Sequence, residues 1–120
     1  MNELHWISLQ VPDVEQARHF WRDVIGLPEK AATSSFVELE LKTGLHLQLH
    51  PVFHAKAMER RGYDSGGPVF GLRVHDLDET THLVERHGAK ALGKDQEFPG
   101  GRTRDIECPD GYVFELVELR

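Results

Sequence analysis

Two stretches of the chain alternate apolar and polar side chains at the period of a strand, and each runs into a stretch with the period of a helix. Residues 5–11 (HWISLQV) put Ile7, Leu9 and Val11 on one side and Trp6, Ser8 and Gln10 on the other. Pro12-Asp13 stops the strand, and Asp13 reads as a helix N-cap with Gln16 in the capping-box position. Apolar residues at 14, 17, 20, 21, 24 and 25 form one helical stripe, which Gly26 closes. The pattern returns 63 residues later, Asp76 standing where Asp13 stood. Residues 69–74 (VFGLRV) set Phe70, Leu72 and Val74 against Val69, Gly71 and Arg73. Asp76 and Glu79 repeat the cap, Leu77, Thr80, Leu83 and Val84 the stripe, and Gly88 the stop.

Each predicted helix precedes further strands. In the first half these cover 35–41 and 45–50, joined at Lys42-Thr43-Gly44; in the second they cover 103–108 and 112–118, joined at Pro109-Asp110-Gly111. A short extra strand follows each helix, at 29–33 and 89–93. The reading is an α+β fold of two βαβββ modules, 1–50 and 69–120, linked by 51–68 within a single 1–120 domain. A helix covers one face of each module's sheet. The other faces are expected to form a cupped mixed sheet around a cavity, with the helices outside.

Composition narrows the function. Lys plus Arg number 14 and Asp plus Glu 20, a net charge of −6, so neither nucleic acid nor an anionic membrane is an expected partner. No apolar run reaches membrane length and the N-terminus lacks a signal-peptide pattern, which points to the cytoplasm. Cys108 is the only cysteine, which excludes an intramolecular disulfide and a thiolate zinc cluster.

The face turned away from the helices carries the candidate chemistry. It holds Trp6, Ser8 and Gln10, then His46, Gln48 and His50, then Gly71 and Arg73, then Glu115 between Val113 and Val117. Such a set is costly to bury dry and suits a pocket for a polar organic molecule. The expected ligand-binding residues are Trp6, Ser8, His46, Gln48, His50, Arg73 and Glu115. Glu115 also has a structural reading, paired with Arg73 or an amide. His46 and His50 stand roughly 13 Å apart at about 3.3 Å per residue, too far to converge on one ion. Alternation turns His5 toward the helix side, and a bulge between His5 and Leu9 would turn it inward, toward a metal site. No serine sits in a Gly-rich elbow, and Gly66-Gly67 and Gly100-Gly101 read as turns. The linker 51–68 carries His54, Lys56, Arg60 and Arg61 and reads as a solvated loop.

The repeated strand-helix-strands order, with VPDVEQARHFWRDVIGLPE in the first half and CPDGYVFELVE at the end, resembles the vicinal oxygen chelate superfamily. That superfamily includes glyoxalase I, bleomycin-resistance proteins and extradiol dioxygenases. The resemblance covers nearly the whole chain and implies paired βαβββ modules, commonly in a homodimer. Its enzymes hold a divalent metal with four side chains. Carried over one at a time, those positions fall on Trp6, Gln48, Val69 and Glu115. Glu115 suits a metal, Gln48 is a weak donor, and Trp6 and Val69 cannot coordinate. The resemblance therefore implies a metal-free, cofactor-free small-molecule-binding protein of the bleomycin-resistance kind. The alternative is a metal-dependent lyase, isomerase, dioxygenase or thiol transferase of the same superfamily. A metal-free catalyst with His46 or His50 as base and Glu115 as partner also stays open.

Overall fold

The computed structural model describes residues 3–34, 36–51 and 69–120. The chain divides into two compact units, Met1–Met58 and Glu59–Arg120. Both follow one plan. The first unit runs β1 (Trp6–Val11), α1 (Val14–Arg18), a π-helical continuation (His19–Val24), β2 (Glu29–Ala32), β3 (Val37–Glu40) and β4 (His46–Pro51). Its strands lie in the order β1-β4-β3-β2, with β1 parallel to β4 and the other pairs antiparallel. The second unit runs β5 (Gly71–Arg73), α2 (Leu77–Glu85), β6 (Lys90–Phe98), β7 (Gly101–Glu107) and β8 (Val113–Leu119). Its order β5-β8-β7-β6 repeats the first, again with one parallel pair. The α+β architecture of two βαβββ modules is thus the one the repeat predicts.

The local rules hold at the helix starts. Asp13 Oδ1 accepts from the Gln16 backbone N–H at 3.0 Å, and Asp76 Oδ1 accepts from Glu79 N–H at the same distance. Positive φ at Gly26, Gly44, Gly88 and Gly111 marks the helix ends and the two strand joints. In the first unit Leu9, Val11, Val37, Leu39, Leu47 and Leu49 are buried, as are Ala17, Phe20, Trp21 and Val24 of the helix. In the second the buried residues include Ile106, Phe114 and Leu116 of the strands with Leu77, Thr81 and Val84 of the helix. Alternation along each strand puts these residues on its helix side.

Four local readings are corrected. The first helix does not stay α-helical: past Arg18 it widens, Ile25 N–H reaching the Phe20 carbonyl at 2.9 Å. Thr81, not Thr80, is buried, because its hydroxyl bonds the Leu77 carbonyl at 2.6 Å and accepts from Arg104 at 2.9 Å. β6 extends past Gly93 to Phe98, through polar residues with no apolar alternation to betray a strand. Gly101 opens β7 instead of forming a turn; a Cβ there would overlap the Glu118 carbonyl oxygen. Beyond Pro51, the linker with His54, Lys56, Arg60 and Arg61 lies outside the described residues. Among the described residues no helix is long and apolar enough to cross a membrane.

An ion-pair cluster ties β6 and β7 to α2. The Arg104 guanidinium donates from Nε and Nη2 to Asp95, both at 2.7 Å, and to Asp78 at 3.0 Å. The hydrogen bond from Arg104 holds the Asp95 carboxyl below its ordinary value of 3.8, and the Asp78 carboxyl likewise. With the folded value depressed, the unfolded chain takes up protons first as pH falls. The stabilisation is therefore complete above pH 3.8 and is lost as pH drops through the folded value. Thermal unfolding across that range should show wild type losing stability more steeply than Asp95→Asn. Parallel curves for the two proteins would contradict this assignment.

Candidate functional site

Strand register gathers the expected polar residues of the first unit onto one face. Across the parallel β1–β4 pair, Trp6 lies opposite His46, Ser8 opposite Gln48 and Gln10 opposite His50. Across β3–β4, Glu38 lies opposite Gln48 and Glu40 opposite His46. His46 and Gln48 are each only 8% exposed, whereas Trp6 is 49% exposed. Two largely buried polar side chains therefore sit beside a large indole open to contact.

The polar groups satisfy one another. Gln48 Oε1 accepts from Ser8 Oγ at 3.2 Å and lies 3.2 Å from His50 Nε2. Gln48 Nε2 donates to Glu38 Oε2 at 3.5 Å. The other Glu38 oxygen lies 2.6 Å from His46 Nδ1. A carboxylate only accepts, so Nδ1 carries a proton; an ammonium only donates, so Nε2 presents its lone pair to Lys30. Lys30 Nζ meets that lone pair at 3.3 Å. The Phe36 ring stands 5.0 Å from the ring of His50.

Lys30 and Glu38 join this polar group and are not among the residues expected from the sequence. For Glu38 the means existed, since alternation in β3 buries Val37 and Leu39 and turns Glu38 and Glu40 the other way. For Lys30 there was none. β2 carries a register shift between Glu29, opposite Leu39, and Ala31, opposite Glu38. Lys30 is the extra residue of that bulge. Glu29 faces the helix, where it accepts from Arg18 at 2.7 and 2.9 Å, and the bulge aims Lys30 at the polar face.

His5 is another correction. It precedes β1, where alternation no longer constrains the side chain, and its ring lies 5.5 Å from that of His46 and 5.1 Å from that of Trp6. In the second unit Glu115 lies opposite Gly71 on one side and Asp105 on the other, while Arg73 lies opposite Val117. A Cβ at Gly71 would meet Val117 Cγ2 at 3.0 Å, so the glycine keeps this row open.

This donor set does not fit the metal of related enzymes. Trp6 and Val69 offer no ligating atom, and both His46 nitrogens are engaged, one facing an ammonium that would repel a cation. His5 adds an imidazole, yet among the described residues no group of three or more His, Cys, Asp or Glu is arranged to hold an ion.

A family model described as the Glyoxalase/Bleomycin resistance protein/Dioxygenase superfamily matches residues 3–116. The chain is 27% identical over 93% of its length to a probable chloroplastic lactoylglutathione lyase of Arabidopsis thaliana. It is 28% identical over 96% of its length to the anthracycline biosynthesis protein DauV of Streptomyces sp. (strain C5). The chain spans only 34% and 41% of those relatives. Among solved structures, TnmS3, an antibiotic binding protein from Streptomyces sp. CB03234, superposes with a TM-score of 0.70 at 20% identity, covering 100% of this chain and 98% of that one.

Proposed function

The chain belongs to the Glyoxalase/Bleomycin resistance protein/Dioxygenase superfamily, and from that premise we propose that it binds a polar organic small molecule without a metal ion. One observation carries the proposal: a buried, mutually bonded set of His46, Gln48 and Glu38 on a sheet face that an apolar core does not need. Burying such groups is worthwhile where they fix a ligand's polar atoms. Trp6 supplies a flat apolar wall, and Ser8 and His50 extend the polar row. Arg73 and Glu115 give the second unit a polar row of its own on the face that Gly71 keeps open. The likeness to an antibiotic binding protein and to an anthracycline biosynthesis protein supports a ligand of that size and polarity. A metal-dependent lyase, which the Arabidopsis relative would suggest, needs ligands that Trp6 and Val69 do not provide.

The test is a panel of anthracyclines, bleomycin and other polar aromatic natural products, scored by isothermal calorimetry against wild type, Gln48→Ala and Trp6→Ala. Binding should survive EDTA with unchanged affinity and melting temperature, and each variant should weaken it about ten-fold or more. Binding abolished by EDTA and restored by a divalent ion would replace this reading with the metal-dependent one.

A further inference from the structure

We propose that the Lys30 ammonium, mounted on His46, is the group that receives the ligand's oxygen, and that the ligand is an aromatic molecule bearing an uncharged carbonyl. The inference deepens the binding role proposed above and rests on it.

Three observations carry it. First, the Lys30 ammonium, on the exposed strand β2, is oriented by His46. Glu38 holds the proton on His46 Nδ1, His46 Nε2 accepts from Lys30 Nζ at 3.3 Å, and the β2 bulge directs the side chain to this face. Among the described residues a single hydrogen bond engages Lys30 Nζ, which leaves N–H donors for an acceptor on a bound molecule. Second, an aromatic surface lies within reach. Trp6 stands opposite His46 in the β1–β4 register and is half exposed. Lys30 reaches back over β3 to β4, so ammonium and indole lie roughly 5–10 Å apart, one or two strand spacings. That is the span of a fused aromatic ring with a carbonyl substituent. Third, charge selects a neutral acceptor. Among the described residues of this unit, Glu38 and Glu40 lie on the same face as Lys30, so two carboxylates outnumber one ammonium there. A carboxylate or phosphate ligand would meet net repulsion, whereas a ketone oxygen takes the Lys30 hydrogen bond without it.

The test is an NMR titration of backbone amides with three probes of one shape: 2-acetonaphthone, 2-ethylnaphthalene and 2-naphthoate. In wild type, 2-acetonaphthone should shift the amides of Trp6, Lys30 and His46 and bind at least ten-fold more tightly than either other probe. Lys30→Met should equalise 2-acetonaphthone and 2-ethylnaphthalene, and Lys30→Arg should restore most of the difference. Glu40→Gln should improve 2-naphthoate alone. Thermal unfolding of each variant confirms that the sheet is intact. If Lys30→Met keeps the wild-type preference while the polar-face amides still shift, the role of Lys30 falls and the binding face stands. Tighter binding of 2-naphthoate than of 2-acetonaphthone overturns the ligand class. If no probe shifts these amides, the ligand class falls, and the natural-product panel decides the binding role separately.

Discussion

Phe114→Ala should lower stability by about 3–5 kcal/mol, the range for deleting an aromatic ring from a closed core. Phe114 is fully buried in β8, the strand between β5 and β7, and its ring stacks on Phe70 at 6.0 Å. Removing it leaves a void that Ile106, opposite Phe114 in the β7–β8 register, cannot fill without moving that strand. A 120-residue protein has only about 5–15 kcal/mol in hand, so much of the population should be unfolded at elevated temperature. The next residue provides the control. Glu115 faces the opposite side of the sheet, and Glu115→Gln should change stability by less than about 1 kcal/mol. Urea unfolding monitored by circular dichroism reads both. Equal losses at 114 and 115 would mean that the phase of β8 is wrong.

Glu38→Ala should cost about 1.5–3 kcal/mol, the range for hydrogen bonds to a charged group. Its carboxylate joins His46 and Gln48, and the His46 and Glu38 side chains are only 10% and 17% exposed. The alanine variant leaves Nδ1–H of His46 unpartnered within the sheet face. It also frees the imidazole to change tautomer, which would set the Nε2–H donor against the Lys30 ammonium, itself only a donor. Glu38→Gln should recover part of the loss, because an amide oxygen still accepts from Nδ1. Urea midpoints give the energy, and nitrogen-15 shifts of the His46 ring report the tautomer. An unchanged midpoint together with an unchanged tautomer would show that Glu38 does not position His46.

Much of the fold was legible because its causes are local. Asp13 and Asp76 cap helices through atoms three residues away, and Gly26 and Gly88 end them through a backbone conformation that other residues avoid. Alternation sorted Leu9 from Ser8 and Leu47 from His46 with no knowledge of neighbours. Where local causes were silent the reading failed. The Lys94–Glu97 stretch of β6 carries no apolar rhythm, and its place is held by Arg104 gripping Asp95 from another strand. Polar strands of this kind are specified by partners, and partners are non-local.

The candidate site divides along the same line. Which face His46, Gln48 and Trp6 share follows from a two-residue period, a property of the backbone that the chain carries in its own order of residues. That Glu38 closes on His46, that His5 swings beside it, and that Lys30 completes the group required strands distant in sequence to pair in one particular register. A single inserted residue in β2 reverses which side a lysine faces, and nothing in the residues themselves announces the bulge. The amino-acid order thus determined the modules, their helices and the polarity of each sheet face. The charge balance and hydrogen-bond partners on those faces were decided by tertiary pairing, because a hydrogen bond or an ion pair depends on distances that no spacing along the chain encodes.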